Sequence, residues 1–474
     1  MSTTSSLSSL LSSTSSSSAI DISDILEAAM GASTAGIDVT SAVSSAVTAA
    51  EAPETAWESE LETFESQTTA LTKIQTDATA LDDDMQALNN LTGPLSTSAV
   101  SSSNSSVVTA TAASGTATGD NIVVVNSLAS TASYISTTVS SDTTDLPAES
   151  ITITNSSGNS STITTGGTVN TLSDLESAIN DAGLGVKASI VEDSSGSRLA
   201  ITSDTSGAGG NFTINSTGTD FDFASAVTGS DASLTVNGIK ITSASNTVTG
   251  AAAGLTLNLL SASPGTSVSL SVTPNTTTAT TAITQFVTDY NTLIGDLNTQ
   301  FTDSGSGEGV LADDPTVHNL QSDLLQVLNY TATPASGTST TTVSNLSSLG
   351  ITVNNDGTLT VNSTTLNNAL QNNFSDVQNF FQGSALNGFA NSLDQQLTSF
   401  ISPADGAFTI DLQSIATQTS GIETDIVNFQ TNVITPLQTQ LEAKFSEAEE
   451  LLQELPNEMK QISEELGENS SSSS

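Results

Sequence analysis

One stretch, residues 53 to 91, constrains everything else in the chain, because it reads as a long helix that cannot stand alone. From Trp57 the positions Leu61, Phe64, Thr68 and Leu71 alternate in steps of four and three, the spacing of a coiled-coil seam. After Leu71 the seam restarts one short step on at Ile74 and runs through Ala78, Leu81, Met85 and Leu88, a phase slip that changes supercoiling locally. Pro53 suits a first helical turn, and Gly93-Pro94 ends the pattern. About seven large apolar side chains at about 2 kcal/mol each fall short of about 1 kcal/mol for each of about 40 ordered backbones. A partner is therefore required, and a matching seam recurs far along the chain at Ile415, Thr419, Ile422, Ile426, Phe429 and Val433. The two chain ends are expected to meet as an antiparallel helical pair.

The formal charge is −44, from 50 acidic residues and only six Lys plus Arg, so the bias is a loss of base rather than a gain of acid. Such a chain has no electrostatic footprint for nucleic acid or anionic lipid. No run of 18 apolar residues is present, so no membrane insertion is expected. The Ser- and Thr-rich start has no basic residue ahead of its apolar positions, which argues against a cleaved signal peptide. With no Cys, the chain carries no redox clue, and few Lys or Arg leave few sites for trypsin-like proteases, a trait that suits exposure outside a cell.

Residues 1–19 and 470–474 are too polar and repetitive to bury a core and are expected to be disordered. Short helical patches follow at Ile20 to Met30 and at Val39 to Ala50, the latter small-faced and capped by Asp38, and so expected to fray until docked. From about 97 to 275 short β-branched runs alternate with Gly, Asn, Asp and Ser, the signature of β-rich modules. Strands are expected at Ile122 to Val125, Val186 to Val191, Leu199 to Thr202, Phe212 to Asn215, Leu255 to Leu259 and Val268 to Val272. Hairpins are expected at 151–164 and at 233–243, the second turning on Asn237-Gly238, and one helix carries Leu172, Leu175 and Ile179 under a Thr171 or Ser173 cap. After Pro274 helical periodicity returns: a full stripe from Ile283 to Phe301, a helix from Val317 to Leu328, and a cassette of Leu349-Gly350-Ile351, a turn at Asn355-Asp356-Gly357, a strand at Leu359 to Val361 and one helix from Leu366 to Phe381. Terminal helices run from Leu412 to about Leu455 with a kink or break at Pro436, and a short amphipathic turn follows Pro456.

Chemistry is sparse. With one His and no Cys, neither a His-containing triad nor a structural zinc site can be assembled, and His318 reads as a surface or packed helix residue. Gly305-Ser306-Gly307-Glu308-Gly309 lacks the Lys of a phosphate loop and puts an acid where phosphate would sit. Asn354-Asn355-Asp356-Gly357 lacks the bidentate Glu of a calcium loop and reads as a hairpin turn. Asp82-Asp83-Asp84 point three ways around a helix and read as a solvated face, while Trp57 reads as a packing residue. No catalytic, cofactor-binding or metal residue is assigned, and no enzyme activity is expected.

Several stretches resemble the bacterial flagellar filament capping protein family, hook-associated protein two, over about residues 36 to 465. Gly36-Ile37-Asp38-Val39 with Glu51-Ala52-Pro53 resembles its N-terminal signature, and Leu172 to Asn180, Gly185 to Val191 and Arg198-Leu199 resemble a module shared with some flagellins. Leu234 to Asn246 with Gly254 to Leu259, Tyr290-Asn291-Thr292-Leu293-Ile294, Leu349-Gly350-Ile351, Asp356-Gly357-Thr358-Leu359 and Phe380-Phe381-Gln382-Gly383 resemble its C-terminal region in order and spacing. The Ser-rich residues ahead of Gly36 and the scarcity of Lys and Arg depart from the family's pattern.

The resemblance implies an α+β multidomain chain: a helical leg formed by both ends, inserted β-rich heads and flexible termini. Its expected parts are 1–35 (Ser-rich, with a short helix), 36–53 with 446–474 (flexible terminal helices), 54–96 with 276–445 (leg), 97–136 with 231–275 (β-rich head) and 137–230 (inserted α+β head). It also implies a homo-oligomeric cap, a pentamer or another count, at the extracellular distal tip of the flagellum. There it would retain exported flagellin and promote its polymerisation, and the implied partners include the export apparatus and an export chaperone. A flagellin-like or hook-filament junction protein and an extracellular adhesin are the competing readings. The expected helix-pair core is Trp57, Leu61, Phe64, Leu71, Ile74, Leu81, Met85 and Leu88 against Ile415, Ile422, Ile426, Phe429 and Val433. Ile37, Val39, Val43, Val47, Met459 and Ile462 are the expected filament contacts.

Overall fold

The computed structural model describes residues 39–302, 309–333 and 342–469. The Ser-rich ends, Ile20 to Met30, Ile37, Asp38 and most of the Gly305–Gly309 loop lie outside the described residues. The described residues fall into two compact units: 39–77, 296–302, 309–320 and 398–469 form one, and 78–295, 321–333 and 342–397 the other.

The described chain opens with α1 (Val39–Ala50) and α2 (Ala52–Asn89). Pro53 sits in the first turn of α2, where its missing N–H costs nothing. Inward positions recur along α2 in steps of three and four, ending in the fully buried Leu71, Ile74, Leu81, Met85 and Leu88. The phase slip falls earlier than expected. Gln67 takes the inward place and Thr68 is exposed, because the Gln67 amide donates to the Val310 carbonyl at 3.2 Å.

A β-rich region follows, with β1 (Ser98–Ser102), β2 (Val108–Ala112) and β3 (Gly119–Ser127). An excursion runs through β4 (Thr131–Ser136), β5 (Ser150–Asn155), β6 (Ser160–Thr164), α3 (Leu172–Asp181), β7 (Val186–Asp193), β8 (Gly196–Ser206), β9 (Phe212–Ser216) and β10 (Phe223–Val227). The chain returns through β11 (Ala232–Val236), β12 (Ile239–Ser243), β13 (Thr247–Ala252), β14 (Leu255–Leu259) and β15 (Val268–Pro274).

Two antiparallel sheets, ordered β1-β15-β3-β11-β12 and β13-β14-β2, enclose a core that includes Val108, Val125, Leu234, Leu257 and Leu270. The excursion builds its own sheets, β10-β4-β8-β7 and β6-β5-β9, around Ile151, Leu175, Ile179, Leu199 and Phe212. Alternate burial along β14 and β15 puts every second residue into the core, as half-buried strands require.

The expected boundary at 136/137 is corrected by β4. Its register pairs it with β8 and β10, and Ala132 lies in the excursion's core, so the chain leaves the first sheet between Ser127 and Thr131. A Ser130–Ser230 bridge ties the departing and returning strands together. The β11–β12 turn carries positive φ at both Asn237 (50°) and Gly238 (84°), the backbone of a type I′ hairpin. Asn237 Oδ1 also accepts from the Ile122 N–H at 2.8 Å, tying that turn to β3. Thr171 and Asp174 form a reciprocal capping box on α3, and the N–H groups of Asn170 and Thr171 with the Thr171 hydroxyl hold the Asp174 carboxyl below its ordinary range.

Beyond β15 come α4 (Thr276–Phe301), α5 (Pro315–Val327), the hairpin β16 (Ile351–Val353) and β17 (Leu359–Val361), α6 (Ser363–Asn372), α7 (Phe374–Gln382) and α8 (Phe389–Ile401). The single helix expected from Leu366 to Phe381 is two, because Asn373 leaves helical geometry (φ −135°, ψ 35°) and starts α7. Leu325 of α5 is 38% exposed. α8 was not foreseen. It supplies Phe389, whose ring lies 5.7 Å from Phe286 and 5.3 Å from Phe380, and Tyr330 joins this aromatic core 5.7 Å from Phe380.

The chain closes with α9 (Ala407–Phe429), a π-helical segment (Gln430–Ile434) and α10 (Thr435–Asn469). Pro436 closely follows the π-helical segment, and the backbone stays helical through Thr435 into α10, so no break occurs there. The expected stop at Pro456 does not occur: α10 continues through it, carried by the Glu, Leu and Gln of strong helix propensity around it. α1 packs on α10 through Val43, Ala46, Leu441 and Phe445, so the described ends of the chain do meet.

Candidate functional site

The helices contributed by the two ends of the chain carry the residues singled out from sequence. In the unit holding α9, Trp57 and Phe429 meet edge to face with centroids 5.5 Å apart, and Gln430 donates to the Glu54 carboxylate. Leu61, Phe64, Ile426 and Phe429 are half-buried, whereas Leu71, Ile74, Ile415 and Ile422 are buried. Val433, expected in the core, is 46% exposed, and Ile434 is buried instead. The π-helical segment explains this, because its wider turn advances the inward face by one residue.

The expected pairing of the whole α2 seam with Ile415 to Val433 is also corrected. α9 is 23 residues long, so set antiparallel from the Trp57–Phe429 pair it has nothing left to oppose beyond about Thr79. Leu81, Met85 and Leu88 belong to the other unit, where Asp82 faces Asp394 of α8 and the Gln382 amide donates to the Leu88 carbonyl at 3.1 Å.

The expected filament contacts divide. Val43 is 5% exposed and Val47 is partly buried, both on α1 against Leu437, Leu441 and Phe445, since the small Ala42 and Ala46 let the helices approach closely. These two are internal packing residues. Val39 begins α1, and Ile37 lies outside the described residues. Met459 and Ile462 are 66% and 54% exposed, and with Leu451 and Leu455 they form a solvent-facing stripe at helical spacing on α10.

The polar candidates have occupied roles. The His318 ring stacks on Phe301 with centroids 4.3 Å apart, and its Nε2 lies 2.8 Å from the Ala312 carbonyl. In the β16–β17 turn, the Thr358 side chain and N–H hold the Asp356 carboxyl below its ordinary range. Among the described residues no three His, Cys, Asp or Glu side chains converge as a metal site would need. The Asp82-Asp83-Asp84 run departs from the solvated face expected of it. Asp82 is 5% exposed and Asp84 half-buried, and only Asp83 faces water, because the inward stripe of α2 is wide enough to take both neighbours. Neither sequence spacing nor composition marked the acidic side chains they would face.

Comparison with known proteins agrees with this architecture. Residues 35–132 match the family model described as "Flagellar hook-associated protein 2 N-terminus", and residues 229–457 match "Flagellar hook-associated protein 2 C-terminus". The segment between the two matches holds almost all of the β4–β10 excursion. A lateral flagellar hook-associated protein 2 from Vibrio parahaemolyticus is 28% identical over 175 residues, covering 36% of this chain and 37% of the relative. A B-type flagellar hook-associated protein 2 from Pseudomonas aeruginosa is 27% identical over 243 residues, covering 50% and 49%. The chain thus spans about half or less of the length of these curated relatives. The crystal structure of the D1-D2-D3 domains of the flagellar cap protein FliD from Escherichia coli superposes with a TM-score of 0.56 at 26% identity, over 75% of this chain and 99% of that one.

Proposed function

The chain belongs to the flagellar hook-associated protein 2 family, and on that premise we propose that it works as the cap at the distal end of the bacterial flagellar filament. In this reading it is a structural assembly protein and not an enzyme. Copies associate with one another outside the cell, in a ring of five or another small number, retain flagellin emerging at the tip and guide it into the growing lattice. The chain reaches the tip through the flagellar export apparatus, with an export chaperone.

The observation that carries the reading is the combination of a helical unit drawn from both chain ends with β-rich sheets between them, in a chain whose fold resembles the Escherichia coli cap structure over 75% of its length. Within it the helices of the terminal unit act as a leg and the sheets as a head. The Trp57, Leu61 and Phe64 end of α2 braces the leg against α9, and the Leu451, Leu455, Met459 and Ile462 stripe is its filament-facing surface. A strain lacking this protein should release unpolymerised flagellin into the medium and recover filaments when the chain is restored. Normal filaments in the deletion strain would overturn the proposal. If capping holds but the stripe is misassigned, replacing Met459 and Ile462 by Ser will leave filament length unchanged.

A further inference from the structure

Two of three consecutive aspartates on α2 each meet a further carboxylate across a helix interface in the same unit. Asp82 faces Asp394 of α8, and Asp84 faces Asp289 of α4. Asp82 Oδ1 and Asp84 Oδ2 are buried, and no donor from an amide, hydroxyl or ammonium reaches either. The remaining contacts are neutral amides: the Gln86 Nε2 donates to Asp82 Oδ2 at 2.8 Å, and the Gln285 Nε2 to Asp289 Oδ2 at 2.9 Å.

No cation offsets the four carboxyls. The sequence has no Lys or Arg between Lys73 and Lys187 or between Lys240 and Lys444, so none stands on residues 78–89, α4, α7 or α8. Lys73, the cation of α2, is engaged with Asp77 and Asp296. The other charged group near the pairs is Asp83, which raises both. α7, which reaches the Leu88 and Asn90 carbonyls through Gln382, carries Asp376, whose carboxylate accepts from the Thr342 N–H at 2.8 Å.

Asp82 is buried and Asp84, Asp289 and Asp394 are half-buried, and two carboxylates facing each other in such partly desolvated places, with no cation between them, cannot both stay ionised at low cost. One proton shared by each pair turns the repulsion into a charge-assisted O–H···O⁻ bond and supplies the missing donor. We propose that Asp82–Asp394 and Asp84–Asp289 are proton-sharing carboxyl pairs that make the docking of residues 78–89 onto α4 and α8 a pH-sensitive latch.

Burial and then the facing Asp394 push Asp82 up to about 7, and burial and then Asp289 push Asp84 up to about 7. Both values lie above that of an unfolded Asp. The stabilisation is therefore complete below about pH 4 and is lost progressively as pH rises to about 7, where it levels off. The latch is tight in acid and loose in mild alkali.

Hydrogen exchange on the full chain tests this. Corrected for intrinsic rates, amide protection in residues 78–89 is expected to fall about tenfold per pH unit for each pair between about pH 4 and pH 7, then to flatten. Asp394→Asn with Asp289→Asn places an amide donor against each remaining carboxylate and should flatten that slope, leaving only the part due to the burial of Asp82 and Asp84. High salt should leave most of the wild-type slope in place, since it screens exposed charge far more than a partly buried pair. Infrared spectra of the wild type give a readout that needs no variant: protonated carboxyl groups should still absorb at about pH 6, where ordinary Asp and Glu are ionised. No such absorption, a slope unchanged in the double variant, or a slope removed by salt alone would overturn the proposal.

Discussion

Phe445→Ala tests what holds α1 in place. α1 has 12 residues, a length at which an isolated helix is marginal in water. Its buried contacts are few: Val43 and Ala46 from α1, and Leu441 and Phe445 from α10. Phe445 is the largest of the four and 4% exposed. Truncating a buried Phe costs about 3–5 kcal/mol, and a cluster this small can partly collapse around the gap, so about 3 kcal/mol is the better figure. At about 1.4 kcal/mol per factor of ten, that is roughly a hundredfold more frequent opening. The loss should stay local, because α1 continues into α2 through single hydrogen bonds, from Glu51 N–H to Val47 at 3.0 Å and from Thr55 N–H to Glu51 at 3.1 Å. Amide exchange in residues 39–50 should therefore accelerate about a hundredfold, while β3 and β8 keep their protection. Unchanged exchange in 39–50 would show that the Phe445 contact does not hold α1, and accelerated exchange in β3 or β8 would show that the two regions do not respond separately.

Phe429→Ala should red-shift the emission of Trp57, the single Trp of the chain, and cost about 1–2 kcal/mol in chemical denaturation; an unshifted spectrum would contradict the edge-to-face pairing. Gly218→Ala places a Cβ 1.9 Å from Glu149 Oε1, a 7% exposed carboxylate that accepts from the Ser216 hydroxyl at 2.7 Å and the Asp220 N–H at 3.2 Å. Displacing it leaves buried donors unpaired, so calorimetry should record a loss of about 2 kcal/mol, and Glu149→Ala should lose a similar amount. Asn237→Val puts a β-branched residue at positive φ and removes the acceptor of the Ile122 N–H, which should lower stability by about 2–3 kcal/mol in urea titrations.

The elements legible in sequence are those whose apolar period is strong and whose ends carry a chemical stop. α2, α4, the Asn237-Gly238 hairpin and the Thr171-capped helix are of this kind. β1, β2 and β13 went unread because Ser98–Ser102, Val108–Ala112 and Thr247–Ala252 are built from Ser, Thr, Ala and Val, and several of their side chains stay half exposed, so the alternation is faint. α8 was missed although Phe389, Leu393, Leu397 and Phe400 stand at helical spacing, a signal that counting would have found. At the candidate surface the matched seams located α9 correctly but said nothing of helix length, and length alone denies Leu81, Met85 and Leu88 that partner. The buried Asp82 was misread for a different reason. Its neighbours Asp289 and Asp394 are remote in sequence, and only the packing of three helices makes a short run of acids into paired groups.

The π-helical segment Gln430–Ile434 has a consequence for how one rod serves two surfaces. Each residue of an α-helix turns its neighbours by about 100°, so one extra residue swings everything beyond it by about that angle. Upstream of it Ile415 and Ile422 are the buried side chains, and downstream Ile434, Leu441 and Phe445 take over. α9 and α10 form a shaft with a fixed quarter-turn cut into it, aimed at α2 on one stretch and at α1 on the next. Removing a single residue between Gln430 and Ile434 would leave a longer and more regular helix, but would carry Leu441 and Phe445 around the axis and away from Val43 and Ala46.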